Sequence, residues 1–497
     1  MFEALGAALW LITDPMVWLA IVTGTALGIV IGAIPGLGSI IGITICLPFT
    51  FVMGQMPAIA LLLSVYCGSI YGGSIAAILI NAPGTPQSAA TVLDGFSMTK
   101  LGKPGHALGW ATAASVFGGL FSCVVLILLA PQLAAFALNF GPVEVFALIC
   151  LALTCIATIS RGSMIKGLLA GAIGLWCGAV GSDPISGDLR FTFGYFPLSA
   201  GFDLVSMVVG LFALSEVFSR IAGERAEAGA VPAFSRMTLP SLGEWKGRLG
   251  VLLKSSVIGS VIGVLPGTGA ATAAFISYAE AKRTSPRGDG FGKGEPDGII
   301  AAESANNAVT GGALVPTLAL GIPGDAVTAI MLSTLIIQGI TPGVRLMVEN
   351  PDIVYASFIV LIIINIAMLV IALATIRAIA FALKAPEAII FTLVVFFCVV
   401  GSYGVRSSMF DVMTMVAAGI VGFLFRYFHV PIAPMVIGLV LGSQMELSLR
   451  QALVITDGDA TLFLTEHPIA LVLFIVTALL LAKPILLGLR RPRENTA

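Results

Sequence analysis

The chain has 497 residues, of which 58% are hydrophobic and only 10% are charged, and its formal net charge is −1. A soluble domain carries about 25% charged residues, so this composition excludes a water-soluble enzyme. The balanced charge also argues against a nucleic-acid partner, which would require a basic face. The 57 glycines suit helices that pack closely in a membrane, and we therefore expect many tightly packed spanning helices.

The apolar segments predict a helical protein that crosses the lipid bilayer many times. A helix needs about 20 apolar residues to span the hydrocarbon core. Segments of this kind lie, in chain order, at 16–34, 57–80, 107–130, 143–159, 164–181, 203–221, 355–380, 388–401, 410–425, 431–445 and 468–489. Segments 251–279 and 299–340 are also apolar, but Pro-Gly pairs interrupt them, which predicts discontinuous or re-entrant helices. The exact number of crossings stays open.

An internal duplication runs along the chain. Residues 28–38 (GIVIGAIPGLG) and 259–269 (GSVIGVLPGTG) agree at seven of eleven positions. Later matches follow in the same order, and MVVGL at 207–211 corresponds to MVIGL at 435–439. Self-similarity of this kind predicts a repeat architecture. We expect two transmembrane repeats at 16–222 and 251–450, which we call the first and second halves, and an extra helix at 468–489.

The few charged residues predict the sidedness of these repeats. The linker 223–250 and the tail 490–497 are basic, which places both in the cytoplasm by the positive-inside rule. The loop 451–467 has acidic residues without Lys or Arg, so we expect it, like the N-terminal segment 1–15, to be periplasmic. Equivalent ends of the halves then lie on opposite faces. The predicted fold is an all-α polytopic membrane protein with two inverted-topology repeats, broken helices and one extra C-terminal helix.

A Pro-Gly turn follows the first helix of each half. Proline removes a backbone donor and interrupts a helix, and unpaired backbone at membrane depth requires protein or a water-filled cavity around it. We expect Gly36, Gly38 and Gly269 to take part in ion coupling, and Gly267 and Thr268 to contact substrate. The glycines that precede each turn at four-residue spacing are interpreted as a packing face.

A second pair of interruptions is richer in polar side chains. Residues 81–88 read NAPGTPQS, and residues 321–325 read GIPGD. Helix N-termini after such breaks present free N–H groups and a positive dipole end to an anion. The candidate substrate contacts are Asn81, Gly84, Thr85, Ser88 and Gly324. The alternative is that these breaks are ordinary loops at the membrane surface.

Two acids and two amides complete the candidate site. A charged group at the bilayer centre costs about 2.5–3.5 kcal/mol, so Glu303 and Asp325 must face a cavity, a partner or the interface. Both acids are ion-coupling candidates, and we expect Asn306 and Asn307 to donate to a substrate carboxylate or to ligate an ion. The alternatives are that Glu303 lies in the first turn of a helix at the interface and that Asp325 only caps a half-helix.

No cofactor is expected, and three scattered histidines offer no ordinary metal-ligand spacing. Residues 290–294 (GFGKG) resemble a phosphate-binding loop only superficially, because they lack the GxxxxGK[ST] spacing, and we interpret them as a solvated linker. Without an ATP site, transport must use an ion gradient, carried by Na⁺ or H⁺.

Two long segments resemble the large membrane subunit of tripartite tricarboxylate transporters, the TctA family. They are YGGSIAAILINAPGTPQSAATVLDGFSMTKLGKPG at 71–105 and ESANNAVTGGALVPTLALGIPGDAVTAIMLSTLIIQGITPG at 303–343. The resemblance implies a permease of the bacterial inner membrane that imports carboxylates, with a TctC-like periplasmic binding protein and a small TctB-like membrane subunit. The family often has a small hydroxyl residue where this chain has Asp325, so the resemblance does not identify citrate as the solute.

The sequence therefore predicts a polytopic permease that accepts a carboxylate from a periplasmic partner and moves it inward with a cation. The first alternative is a stand-alone transporter or exchanger that needs no binding protein. An intramembrane enzyme with Glu303 and Asp325 as paired carboxylates is disfavoured, because a nucleophile or metal constellation is missing. A structural scaffold is disfavoured by the matched helix breaks.

Overall fold

The computed structural model of the chain is almost entirely helical. It describes residues 2–159, 164–183, 185–223, 236–266, 269–382, 387–459 and 461–490. The strands in these ranges form one short antiparallel pair, β1 (Gly181–Ser182) and β2 (Leu189–Arg190), in which Gly181 is opposite Arg190. Of the predicted linker 223–250, residues 224–235 lie outside the described ranges, as do residues 491–497 of the predicted tail.

The helices up to the linker include every predicted segment and three further helices that were not predicted, at Phe2–Ile12, Gly38–Thr50 and Ala89–Lys100. In chain order, the helices are α1 (Phe2–Ile12), α2 (Pro15–Ala33), α3 (Gly38–Thr50), α4 (Gln55–Ile80), α5 (Ala89–Lys100), α6 (Pro104–Ala137), α7 (Pro142–Ile159), α8 (Met164–Gly178), α9 (Leu204–Val209) and α10 (Ser215–Ile221). A π-helical segment, Gly210–Leu214, joins α9 to α10, and 3-10 turns lie at Pro86–Ser88 and Phe196–Ala200.

The helices after the linker repeat much of this order. They are α11 (Leu249–Val264), α12 (Gly269–Thr284), α13 (Pro296–Leu320), α14 (Ala326–Ile337), α15 (Val344–Glu349), α16 (Pro351–Ala382), α17 (Glu387–Arg406), α18 (Met409–Tyr427), α19 (Ala433–Ile455), α20 (Leu462–Thr465) and α21 (Pro468–Arg490). A 3-10 turn at Gly288–Gly290 precedes α13.

Seven helices in the described part are long and apolar enough to cross a membrane. They are Pro15–Ala33, Gln55–Ile80, Pro104–Ala137, Leu204–Ile221, Pro351–Ile376, Ala388–Arg406 and Met409–Tyr427. Several further apolar helices are shorter than 18 residues, among them α3, α8, α11 and α14. The predicted all-α polytopic membrane protein is therefore confirmed.

Two helices, one from each half, form the centre of the molecule. All residues of α4 from Met56 to Ile80 are buried, and so are all residues of α13 from Asp297 to Ala319. A helix that is apolar around its whole circumference has to be covered on every side, and the neighbouring helices do this. The polar residues of α13 that the sequence analysis singled out therefore lie inside the helix bundle.

The glycines at four-residue spacing are confirmed as a packing face. A Cβ atom at Gly28 would lie 2.7 Å from the carbonyl oxygen of Val65 on α4, and one at Gly259 would lie 2.2 Å from the carbonyl oxygen of Ala305 on α13. Only glycine permits backbones to approach this closely. The first helix of each half is thus pressed against the central helix of the same half.

All four predicted interruptions are present. Helix α2 ends at Ala33 and α3 begins at Gly38, while α11 ends at Val264 and α12 begins at Gly269. Helix α4 ends at Ile80 and α13 ends at Leu320, each followed by a Pro-Gly pair before the next helix. We call residues 81–88 the first polar break and residues 321–325 the second polar break.

Candidate functional site

The two polar breaks have the same backbone arrangement. The first begins at Asn81, which is left-handed with φ of 60°, and the second begins at Gly321 with φ of 71°. A Cβ atom at Gly84 would lie 2.0 Å from the carbonyl oxygen of Gly32, and one at Gly324 would lie 2.6 Å from the Cα atom of Ala313. Each break is therefore folded back against a helix through a glycine.

Both breaks then start a new helical turn with a capping pair three residues apart. In the second break, the backbone N–H of Thr328 donates to Asp325 at 2.8 Å, and the N–H of Asp325 donates to the Thr328 hydroxyl at 2.9 Å. In the first break, Thr85 and Ser88 occupy the equivalent positions, with the Thr85 N–H donating to Ser88 Oγ at 3.4 Å. The alternative prediction that Asp325 caps a half-helix is confirmed.

The first polar break lies between the two halves. Its 3-10 turn packs against α4 and α5 of the first half and against α12 and α13 of the second. Just beyond the turn, Ala90 shares a buried cluster with Ala274 of α12 and Ala302 of α13. The break is thus covered on one side by the half to which it does not belong.

Asn306 is the most unusual side chain at this interface. It is one helical turn beyond Ala302 on the same face of α13, and Val309, on that face again, packs with Ala270 and Ala273 of α12. Asn306 is fully buried, and within the described part of the chain neither its Nδ2 nor its Oδ1 has a hydrogen-bond partner. Leaving a buried polar group unpaired costs about 1–3 kcal/mol.

Gln87 has a related feature, because its buried Oε1 atom also lacks a hydrogen-bond partner among the residues that the structure describes. Gln87 belongs to the first polar break, and the sequence analysis did not select it as a site residue. Buried unpaired polar atoms in a folded protein require an explanation, such as a bound ligand. Two amides on the two sides of one interface therefore point to a polar ligand between the halves.

Glu303 and Asn307 form a second polar group on α13. The Glu303 carboxylate is fully buried and accepts hydrogen bonds from Thr91 of α5, from Ser115 of α6 at 2.9 Å and from Asn307 Nδ2 at 3.4 Å. Because α13 begins at Pro296, Glu303 lies beyond the first turn. The alternative prediction of an interfacial first-turn position is therefore wrong.

Asp325 has a different environment from Glu303. It is half-buried, and its Oδ2 accepts a hydrogen bond of 2.6 Å from the hydroxyl of Tyr66 on α4. The central helix of each half thus reaches across to the other half. Tyr66 of α4 contacts the second break, and Glu303 of α13 contacts α5, which follows the first break.

The Pro-Gly turn between α2 and α3 lies beside an arginine. Arg220 of α10 donates to the carbonyl oxygen of Pro35 at 3.3 Å, and a Cβ atom at Gly36 would collide with its guanidinium. Arg220 also pairs with Glu216 at 3.1 Å. Gly38 and Gly269 begin α3 and α12 with positive φ, whereas Gly267 and Thr268 lie outside the described residues.

Asp94 was not singled out by the sequence analysis. Its fully buried carboxylate accepts N–H bonds of 2.8–2.9 Å from Gly292, Gly294 and Glu295, and one of 2.7 Å from the Tyr278 hydroxyl. The glycine-rich loop predicted to be a solvated linker thus uses its N–H groups to hold a carboxylate from the other half. Asp94 could have been noticed in the sequence as an acidic residue within a stretch that is otherwise apolar or hydroxyl-bearing.

The structure therefore brings some predicted residues together and separates others. Thr85 and Ser88 lie in the first break, against the helix that carries Asn306, and Asn307 contacts Glu303. Asp325 contacts Tyr66 rather than Glu303, so the two acids do not form a bonded pair. Asn81 is exposed and directly follows the last residue of α4.

Comparison with known proteins gives one family. Residues 18–437 match the family model described as "Tripartite tricarboxylate transporter TctA family". The "Uncharacterized 52.8 kDa protein in TAR-I ttuC' 3'region" of Agrobacterium vitis is 36% identical over 472 residues, 95% of this chain and 94% of that protein. The "Uncharacterized protein in TAR-II ttuC' 3'region" of the same organism is 36% identical over 212 residues, 43% of this chain and 87% of that protein. No solved structure matches the chain significantly.

Proposed function

The chain belongs to the tripartite tricarboxylate transporter TctA family, and on this premise we propose that it imports tricarboxylates or related organic acids by symport with Na⁺ or H⁺. The family makes it the large membrane subunit of a transporter and indicates a transporter rather than an enzyme. In the proposal, a TctC-like periplasmic protein delivers the solute, a small TctB-like subunit accompanies the permease, and the complex lies in the bacterial inner membrane.

The unpaired amide of Asn306 is the observation that supports a solute site at the first polar break. An amide N–H donates to a carboxylate without adding a net charge to the apolar interior, where a charge is expensive. The turn that leads into α5 supplies backbone N–H groups at a helix N-terminus, which also favour an anion. Gln87 Oε1 would accept from a hydroxyl or a protonated carboxyl of the solute.

Contacts between the two halves support the proposed inverted topology. Segments that the proposed topology places on the periplasmic side contact each other, since Arg406 donates to the carbonyl oxygen of Gly201, and Arg450 pairs with Asp183 at 2.8 Å. Hydrogen bonds from the backbone N–H groups of Ser186 and Ile185 lower the pKa of Asp183 to about 2. That carboxylate therefore stays ionised for this ion pair at any physiological pH.

Segments that the proposed topology places on the cytoplasmic side also contact each other. The backbone around Gly292, before α13, binds Asp94 of α5. Lys166, at the start of α8, donates to the carbonyl oxygen of Phe428, after α18. This grouping supports the two-fold relation that places transport sites at the repeat interface in many secondary transporters.

Vesicle uptake tests the proposal. The complete complex would be reconstituted, and uptake of labelled citrate, malate and succinate measured with and without the binding protein, under a Na⁺ or an H⁺ gradient. We expect gradient-driven uptake of at least one carboxylate that requires the binding protein. Equal uptake without that protein would favour the stand-alone alternative, and no uptake under either gradient would contradict carboxylate symport.

A pair of Asn→Asp variants tests the site. Asn306→Asp would place a carboxylate where the solute carboxylate is proposed to bind, and we expect a loss of about 100-fold in uptake, equivalent to roughly 2.7 kcal/mol. Asn139→Asp makes the same change at an exposed position after α6 and should leave uptake unchanged. Undiminished uptake by folded Asn306→Asp would contradict the assignment.

A further inference from the structure

The Glu303 carboxylate has no counter-ion within the described part of the chain. Its three hydrogen-bond donors, Thr91, Ser115 and Asn307, are all neutral. Among the described residues, no Lys, Arg or His forms an ion pair with it, although such pairs hold Glu216, Glu280 and other acids. An isolated ionised carboxylate in a low-dielectric interior is expensive, and burial of this kind favours uptake of a proton.

Other titratable groups near Glu303 have partners of their own. The Tyr71 hydroxyl of α4 bonds with Thr112 of α6 at 2.7 Å, and Tyr278 of α12 donates to Asp94 of α5. Helix α11 directs Lys254 to Glu280 of α12 rather than to α13, and α6 contributes neutral Ser115. None of these neighbours is in place to neutralise Glu303 by a direct ion pair.

The arrangement suits a proton better than a metal cation. Hydroxyl groups both donate and accept, so Thr91 and Ser115 can donate to an ionised Glu303 and accept from a protonated one without moving. Hard metal cations such as Ca²⁺ and Mg²⁺ take roughly six oxygen ligands. Here protein donors already contact both carboxylate oxygens, and a metal cation would have to displace them.

We infer that Glu303 is the group that carries the coupling proton, an inference that rests on the proposed symport function. In each cycle, a proton from the outer aqueous phase forms an O–H bond with one carboxylate oxygen. The same bond breaks when the proton is released to the cytoplasm, so no other reactant is needed. Two further hydroxyl groups lie beyond Ser115. They belong to Thr112, one turn away on α6, and to Tyr71, which is hydrogen-bonded to Thr112.

Asn307 links this step to the solute. Its amide donates to both the carbonyl oxygen and the carboxylate of Glu303, at 3.0 and 3.4 Å, and it directly follows Asn306. Protonation removes the negative charge that holds the Asn307 amide. The Asn307 side chain then keeps its bond to the Glu303 carbonyl oxygen but loses the one to the charged carboxylate. Because Asn307 adjoins Asn306 on α13, this change couples proton binding at Glu303 to solute binding at Asn306.

The test uses the complete complex in liposomes with a pH-sensitive dye inside, Na⁺-free buffers and labelled citrate, malate and succinate. Glu303→Gln keeps a side chain that can hydrogen-bond but cannot release a proton. We expect this variant to lose pH-driven accumulation and lumen acidification by at least about tenfold, within the range of typical coupling energies, while it retains counterflow at equal pH.

The outcomes separate the two proposals. The inference would be overturned if Glu303→Gln still accumulated solute under a pH gradient, or if the wild type accumulated solute only under a Na⁺ gradient. Either result would leave carboxylate symport intact. If the wild type shows neither accumulation nor counterflow, the proposed function itself is wrong.

A second variant keeps the inference testable if Glu303→Gln does not fold. Thr91→Val removes one donor to the ionised carboxylate and should move half-maximal uptake to higher pH by about one unit, the equivalent of one hydrogen bond. Thr99→Val removes a hydroxyl on the same helix that bonds only to backbone and should leave the profile unchanged. An unshifted profile for Thr91→Val would overturn the inference, because a merely structural hydroxyl would not move it.

Discussion

The two polar breaks share a scaffold and differ in their side chains. Each follows a wholly buried central helix, folds back through a glycine and begins a new helix with a capping pair. The first has Thr85 and Ser88 at the capping positions, whereas the second has Asp325 and Thr328. The two breaks therefore have similar backbones, and only the second has an acidic residue at its capping position.

The two polar breaks also differ in their surroundings. Thr85 is 1% exposed and lies in the break that packs against α13, the helix that carries Asn306. Asp325 is half-buried and already bonded to Thr328 and Tyr66. Two breaks with similar backbones therefore need not have the same function. The first retains unpaired polar atoms for a ligand, and in the second the chain's own carboxylate satisfies the cap.

Thr85→Asp should have the largest effect, because it gives the first break the charge of the second. The new carboxylate would be buried beside the proposed solute carboxylate, and like charges at such a site cost several kcal/mol. We expect uptake to fall by about 100-fold or more, since roughly 2.7 kcal/mol corresponds to this factor. Vesicle uptake at saturating binding protein measures the loss.

Thr85→Asn is the matched control, because it has the size of Asp without its charge and caps helices equally well. It should retain most of the uptake lost by Thr85→Asp. Equal losses in the two variants would show that packing against Gly73, whose Cβ position is 2.3 Å from Thr85 Oγ1, matters more than charge.

The sequence predicted the scaffold better than its contacts. Pro-Gly pairs and four-residue glycine spacing located the breaks and the packing faces, because local backbone chemistry decides both. The links from Tyr66 to Asp325 and from Asp94 to Gly292 join positions about 200 or more residues apart. No local sequence pattern encodes these contacts. The burial of Glu303 was also not predictable, because it depends on where α13 begins.

The helices that follow the two breaks extend the comparison. Asp94 of α5 receives four hydrogen bonds from residues before and around the start of α13. After the second break, Gln338 follows α14 and donates at 2.6 Å to the carbonyl oxygen of Thr50, the last residue of α3, which precedes α4. Each half therefore contacts the segment before the other half's central helix, once through a buried carboxylate and once through a half-buried amide.

Asp94→Asn should consequently destabilise the protein more than Gln338→Ala. Hydrogen bonds to charged groups contribute about 1.5–3 kcal/mol each and neutral ones about 1 kcal/mol, and an amide can replace only part of the acceptance by Asp94. We expect a loss of roughly 3 kcal/mol for Asp94→Asn and about 1 kcal/mol for Gln338→Ala. Thermal unfolding in detergent measures both, and a larger loss for Gln338→Ala would contradict the ranking.

Asp325→Thr should have the smallest effect, because it gives the second break the residue of the first. Threonine still caps α14, at a cost of a few tenths of a kcal/mol, and the main loss is the hydrogen bond from Tyr66. We expect about 1–2 kcal/mol of destabilisation with uptake largely retained. Tyr66→Phe removes the same bond and should match it in thermal unfolding. If Asp325→Thr abolished uptake while Tyr66→Phe did not, the carboxylate itself would act in transport, and the two breaks would both belong to the site.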